Sequence, residues 1–188
     1  MKKLLSGCII FLVLPLNILA QGNENNPVTL SSAFHTYSLR PPDGWYCESN
    51  PGKGSAGYAN FYQKGKDFLT SPAVIYVRSF SLNTSDRKTV ADVIRLDSAF
   101  YHEHYPEIRP QTEKPIRINE VLQATCKAYS DKTSGTYDLY AYISAGNAVV
   151  VITLTSDSSI HFERSLRTLD EMVRSYQFIA LKPSPQHK

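Results

Sequence analysis

Two segments of this sequence are apolar on both faces of a strand, and they constrain the fold more than any other feature. One contains the run Val149-Val150-Val151-Ile152, and the other, residues 73–82, has apolar side chains at both odd and even positions. A strand with two apolar faces lies inside a sheet that is covered on both sides. These two segments therefore predict central strands.

The remaining patterns predict an α+β fold. Short strands occur in two clusters, each followed by one helical pattern, and turns such as Gly146-Asn147 join neighbouring strands as hairpins. Hairpins give antiparallel pairing, so we expect an antiparallel sheet covered by helices. The expected strands are 34–39, 45–48, 58–63, 73–82, 121–129, 137–144 and 148–155.

The helical patterns have recognisable starts and ends. Thr89 is a suitable N-cap and Asp92 favours the positive end of the helix dipole, while Pro106 ends the first helix. The second helix is expected at about 159–175, where apolar residues recur at helical spacing.

Both ends of the chain have patterns typical of segments outside a folded domain. Lys2-Lys3 followed by an apolar run that ends at Ala20 is typical of an export signal. We expect residues 1–20 to be a cleaved signal peptide and 21–33 a flexible tail. We also expect a single domain at 34–180 and a flexible tail at 181–188. The signal predicts a periplasmic or secreted protein, and lipid attachment at Cys8 is an alternative.

The charge excludes two classes of partner. The 188-residue chain has a formal net charge of +3, and removal of Lys2 and Lys3 with the signal brings it close to neutral. Such a chain lacks the basic surface of proteins that bind nucleic acids or anionic membranes. No segment after the signal approaches the roughly 20 apolar residues that span a bilayer. We therefore expect no nucleic-acid partner and no membrane span after cleavage.

Cys47 and Cys126 would be the cysteines of the exported chain. An even number of cysteines in an oxidising compartment indicates a possible disulfide between them. The alternative is two buried thiols that act as small apolar side chains, since both cysteines have apolar neighbours.

Catalytic motifs are incomplete. The segment Lys53-Gly54-Ser55-Ala56-Gly57 is similar to a G-x-S-x-G nucleophile elbow, but Lys53 replaces the first glycine and no helix follows directly. We interpret it as a surface loop and expect no enzymatic activity, with a hydrolase using Ser55 as the minor alternative.

One cluster contains side chains that bind metals. His102, His104 and Glu107 lie at the end of the first predicted helix. In an intact helix the two histidines point about 200° apart, so they would share zinc or a similar ion only if Pro106 frayed the last turn. Asp97 is a further candidate ligand. The alternative is a solvated helix end where histidines interact with the helix dipole.

Tyrosines recur on the predicted strands. Tyr140 and Tyr142 alternate on one face of a strand, and Tyr76 lies on another. Tyrosine is common at binding surfaces, so these three residues are candidate partner contacts. They are equally suited to a sheet surface that a helix covers incompletely.

The segment Tyr37–Trp45 contains Pro42-Asp43-Gly44-Trp45, which resembles the opening strand and P-x-G-W turn of the PsbP-like superfamily. That superfamily includes PsbP, Mog and DcrB-type proteins. The order of elements through the aromatic segment Tyr176–Ile179 is also similar. The resemblance implies an α/β/α sandwich with a central antiparallel sheet of about six to seven strands and two main helices. It also implies structural roles for Pro42, Gly44 and Trp45, and a binding or accessory function without shared catalytic residues.

Together these features favour an exported, non-catalytic binding domain. Its partner would be a protein or another envelope component, held by the sheet face or by the loops 50–57 and 131–135. A secreted protein that binds a metal or small ligand through His102, His104 and Glu107 is the alternative.

Overall fold

A computed structural model describes residues 26–32, 35–49, 59–131 and 135–182, which form two sheets and two helices. The predicted signal peptide, Cys8, Ser55 and most of the two proposed binding loops lie outside the described residues. The elements in chain order are β1 Val28–Ser31, β2 His35–Leu39, β3 Trp45–Ser49, β4 Ala59–Gln63, β5 Ala73–Ser81, α1 Val90–His104, β6 Gln111–Arg117, β7 Gln123–Asp131, β8 Thr136–Ala145, β9 Ala148–Ser156, α2 Ser159–Arg174 and β10 Gln177–Leu181.

The main sheet has seven antiparallel strands in the order β3-β4-β5-β9-β8-β7-β6. The two segments with apolar side chains on both faces, β5 and β9, pair along their whole length, from Ala73 opposite Ser156 to Ser81 opposite Ala148. The α+β class and the predicted number of strands are therefore confirmed.

Each helix covers a different face of this sheet. Leu169, Met172 and Val173 of α2 pack in one apolar cluster with Val150 and Ile152 of β9. The intervening residues of β9 point to the other face and pack in a second cluster with α1. Side chains alternate between the faces of a strand, so β9 contributes to both cores.

Helix α1 begins at the expected residue. The Thr89 side chain accepts a hydrogen bond from the Asp92 backbone amide, and the Asp92 carboxylate accepts one from the Thr89 amide. This reciprocal pair satisfies two backbone donors that have no partner within the helix.

A second sheet with strand order β1-β2-β10 was not predicted. Val28–Ser31 pairs with β2, so this part of the predicted flexible tail is a strand. The aromatic segment after α2 forms β10 and pairs with the other edge of β2. Strand β6 of the main sheet was also missed, because six of its seven residues are exposed and one of them is Pro115.

The Pro42–Trp45 turn joins the two sheets. Gly44 has φ of +77°, a left-handed conformation that favours glycine. The Trp45 amide donates to the Pro42 carbonyl at 3.0 Å, and the Trp45 indole is buried in the core under α2.

The predicted disulfide between Cys47 and Cys126 is wrong. Cys47 lies on β3 and Cys126 on β7, and four strands separate them in the sheet. At about 4.8 Å per strand spacing, the two backbones are about 24 Å apart, whereas a disulfide needs Cα atoms within about 7 Å. Both residues are free thiols.

Candidate functional site

The candidate site lies on the face of the main sheet that α1 covers only in part. Helix α1 packs against β8 and β9. Beyond it, β3, β4 and β5 present polar and aromatic side chains that are partly or largely exposed. We call this surface the open half of the sheet face, and it consists of Tyr46, Glu48, Asn60, Tyr62, Tyr76 and Arg78.

Strand register places these residues together. Tyr46 lies opposite Tyr62, and Asn60 lies opposite Tyr76. Arg78 follows Tyr76 by two residues on the same face. Directly opposed side chains in a sheet have Cβ atoms about 5 Å apart, and diagonal neighbours lie about 7–8 Å apart. The open half is therefore a continuous surface.

A chain of hydroxyl groups joins the open half to the interior. The Tyr76 hydroxyl oxygen lies 3.3 Å from that of Tyr140, which lies 3.0 Å from that of Tyr101. The Tyr101 hydroxyl donates a hydrogen bond to the Asp138 carboxylate. Each hydroxyl has one proton, so Tyr140 donates to Tyr101 and Tyr76 donates to Tyr140.

Two carboxylates accept hydrogen bonds from tyrosines under α1. Asp138 is buried and also accepts a hydrogen bond from Thr155. Asp97 of α1 accepts one from the Tyr142 hydroxyl at 2.8 Å. Burial raises the pKa of both carboxyls above their usual range, although the hydroxyl donors and the nearby Arg78 partly oppose that shift.

Arg78 is the cation at the centre of the site. Its guanidinium carbon lies 5.5, 5.3 and 5.8 Å from the ring centroids of Tyr76, Phe80 and Tyr140. Three aromatic rings around a cation stabilise its charge without neutralising it. The Nε atom of Arg78 is buried and has no hydrogen-bond acceptor.

A second polar atom of the open half also lacks a partner. The Asn60 side-chain oxygen is buried on the neighbouring strand and accepts no hydrogen bond. Buried polar atoms are nearly always hydrogen-bonded, and an unpaired one costs about 1–3 kcal/mol. A donor and an acceptor without partners, on adjacent strands of one exposed surface, are therefore suited to a ligand.

The structure separates the three predicted partner contacts. Tyr76 belongs to the open half, whereas Tyr140 and Tyr142 are only 5% and 1% exposed. Helix α1 lies over these two side chains, so the idea that they form an exposed surface needs correction. The sequence analysis missed Tyr46, Asn60 and Arg78. The available signal was Arg78 itself, because an arginine between Tyr76 and Phe80 interrupts the aromatic face of a central strand.

The predicted metal ligands are not brought together. Helix α1 runs through His104, so the last turn does not fray as a shared metal would require. The His104 ring stacks on Phe100 at 4.2 Å, and its Nδ1 lies 2.9 Å from the Phe100 carbonyl. His102 and Glu107 are exposed. Over the described parts of the chain, no three histidine, cysteine or acidic residues are grouped so that they could hold a metal ion.

The helices give no indication of a membrane span. Neither α1 nor α2, the two helices among the described residues, is long and apolar enough to cross a bilayer.

Comparison with known proteins supports the fold. No protein-family model matches the sequence, and no curated protein matches it significantly. The solution structure of cyanobacterial PsbP (CyanoP) from Synechocystis sp. PCC 6803 is similar, with a TM-score of 0.55, 12% identity, and coverage of 85% of this chain and 96% of that chain. The chain therefore has the PsbP-like fold.

Two further solved structures have lower TM-scores. A protein from Bacteroides thetaiotaomicron VPI-5482 gives 0.45 with 12% identity, and covers 83% of this chain and 49% of that chain. LpqN, involved in cell envelope biogenesis of Mycobacterium tuberculosis, has a TM-score of 0.46 with 14% identity, and the match covers 84% of this chain and 87% of that chain.

Proposed function

We propose that this protein is an exported, non-catalytic binding domain that holds a partner protein of the extracytoplasmic space through the open half of its sheet face. The proposed location follows from the signal-like pattern that ends at Ala20. The proposed class of partner follows from the nearly neutral charge and from the chemistry of the surface.

The pair Tyr46 and Tyr62 is the observation that carries this proposal. The two rings pack with their centroids 5.4 Å apart, and Tyr46 is 52% exposed. Both lie on paired strands, so their backbones are fixed before any partner arrives. Tyrosines on a rigid scaffold bury a large area at a low cost in side-chain entropy, which makes them frequent hot spots of protein interfaces.

The interior behind the pair supports the same proposal. The hydroxyl chain from Tyr76 to Asp138 links the open half to α1 and fixes Tyr76 and Tyr140 in one arrangement. A partner would therefore meet a preorganised surface, and preorganisation reduces the entropy lost on binding.

The environment of the two cysteines does not favour covalent catalysis by either thiol. Burial raises the pKa of the Cys47 thiol to about 12 and that of the Cys126 thiol to about 11. Only the thiolate is a good nucleophile, so neither cysteine is activated.

Site-specific photo-crosslinking tests the proposal. A photoreactive phenylalanine analogue replaces Tyr46, and in a matched control it replaces Ile160, which is 60% exposed on α2 at the opposite face of the sheet. Crosslinking is done in the cells that produce the protein. We expect one defined protein adduct from position 46 and none from position 160.

A second variant tests whether the crosslink at position 46 depends on the neighbouring tyrosine. Tyr62→Ala removes the neighbouring ring and should reduce the yield from position 46 severalfold at an unchanged melting temperature. Equal adducts from both positions, or an adduct that does not respond to Tyr62→Ala, would contradict the proposal.

A further inference from the structure

We infer that Arg78 and Asn60 form a carboxylate-binding subsite within the open half, which takes an aspartate or glutamate side chain of the partner protein. This inference rests on the proposed function, because it names the chemical group that the partner presents to the surface.

The first argument is the unpaired charge of Arg78. Its buried Nε has no acceptor, and among the described residues no ion pair joins its guanidinium to Asp97 or Asp138. Two arginines of α2 show the contrast, since each donates to a carboxylate: Arg174 to Asp170, and Arg167 to Glu171. The Asp97 charge acts on Arg78 only from a distance, so the guanidinium has no carboxylate of the described residues in direct contact and can bind one from a ligand.

The second argument is geometric. A guanidinium has N–H groups in a planar fork that matches the two oxygens of a carboxylate. The rings of Tyr76, Phe80 and Tyr140 around Arg78 hold the guanidinium in place and exclude water from its sides. Excluded water strengthens the attraction between the guanidinium and a carboxylate.

The third argument concerns the charge of the ligand. Asp97 and Asp138 lie on the same face, and the Asp97 charge already acts on Arg78. Glu48 also lies on this face, directly opposite Asn60. A ligand with more than one negative charge is therefore disfavoured, because like charges repel in a site of low dielectric constant. A carboxylate with one negative charge fits this field better than a phosphate with two.

Asn60 explains why the carboxylate would belong to a peptide. Its free side-chain oxygen lies on β4, next to Tyr76 and diagonal to Arg78. A backbone amide beside an acidic side chain supplies the N–H group that this oxygen lacks. Tyr46 and Tyr62 lie further along the same surface and would contact the apolar neighbours of that residue.

NMR spectroscopy of arginine Nε–Hε groups in the purified protein tests the subsite directly. The probes are N-acetylglutamate N-methylamide and its neutral counterpart N-acetylglutamine N-methylamide, which differ only in the carboxylate. The Arg78 signal is assigned by its loss in Arg78→Lys. Arg174 is the internal control, since it is paired with Asp170 on α2 at the opposite face.

We expect a saturable shift of the Arg78 signal with the glutamate probe, a dissociation constant in the millimolar range, and no shift with the glutamine probe. The Arg174 signal should not move. Asn60→Ala should raise the dissociation constant of the glutamate probe roughly threefold to tenfold, which is the effect of one lost hydrogen bond. The melting temperature of each variant is measured beside the wild type to confirm that it is folded.

Two results would overturn the inference. One is an Arg78 signal that does not respond to the glutamate probe, or responds equally to both probes. The other is tighter binding of inorganic phosphate than of the glutamate probe, which would make the subsite a phosphate site.

The two proposals fail in distinguishable ways. A Tyr46 crosslink to a partner without a carboxylate effect at Arg78 would contradict the subsite only. A carboxylate effect without any Tyr46 crosslink would contradict the protein-binding function and leave a site for a small carboxylate.

Discussion

The hydroxyl of Tyr101 should contribute measurably to the stability of the fold, and Tyr101→Phe tests this. The hydroxyl donates to Asp138 and accepts from Tyr140. The ring stacks on Tyr129 at a centroid distance of 4.1 Å, so phenylalanine retains the packing. The substitution therefore removes hydrogen bonds without creating a cavity.

The magnitude follows from those two hydrogen bonds. A hydrogen bond to a charged group contributes about 1.5–3 kcal/mol, and the Tyr140 hydroxyl would also lose its acceptor. We expect Tyr101→Phe to lower the free energy of unfolding by about 2 kcal/mol. For a domain of this size that corresponds to a decrease of about 4–8 °C in Tm.

Urea unfolding followed by circular dichroism measures the effect. Tyr105→Phe is the matched control, because Tyr105 follows the same helix and is 38% exposed. It should change the free energy of unfolding by less than about 0.5 kcal/mol. Thr155→Val removes the other donor to Asp138, and the double variant with Tyr101→Phe should deviate from additivity because both hydroxyls share one acceptor. A Tyr101→Phe protein as stable as the Tyr105→Phe control would refute this account of the network.

Three further outcomes are expected. Cys47 and Cys126 should react slowly with a thiol reagent in the native protein and completely after denaturation without reductant, and mass spectrometry checks both; a need for reductant would contradict the strand order. Thr89→Ala should lower the free energy of unfolding by about 1 kcal/mol through loss of the N-cap, while Ser85→Ala, at an exposed position, should have almost no effect. Burial raises the pKa of Asp97, so its stabilising contribution is complete below the unfolded-state pKa of about 4 and is lost as the pH rises through the folded-state pKa. The free energy of unfolding of Asp97→Asn should therefore increase relative to that of the wild type as the pH rises above about 4. Urea unfolding of both proteins at several pH values measures this. A difference between them that does not change with pH would contradict it.

The sequence predicted the parts of the fold that depend on local pattern. Strands β5 and β9 are central because both of their faces are apolar. Helix α1 starts directly after its N-cap Thr89, whose partner Asp92 lies only three residues further along the sequence. Strand β6 carries no apolar alternation, since it lies at an edge and contacts the core mainly through Ile116. Its pairing with β7 is a tertiary effect that no local pattern encodes.

The site was harder to predict because it depends on which strands α1 covers. Tyr76 and Tyr140 look alike in the sequence, yet one is partly exposed and the other lies under the helix. The same limit applies to Cys47 and Cys126, whose separation depends on the strand order alone. Alternation assigns a side chain to a face, but only the packed structure shows whether that face is covered.

The dimensions of the elements explain why an open half exists. Seven strands at about 4.8 Å spacing make a sheet about 29 Å wide, whereas a helix with its side chains is about 10 Å across. Helix α1 therefore covers two or three strands of its face. On the side of β7, the uncovered positions Thr125 and Lys127 are polar, as expected of a solvated surface. On the side of β3–β5 the chain instead carries Tyr46, Tyr62 and an unpaired Arg78, residues that a purely solvated surface does not require. These residues point away from the core under α2, which is formed by their neighbours on the same strands. The sequence of this surface can therefore vary without loss of that core.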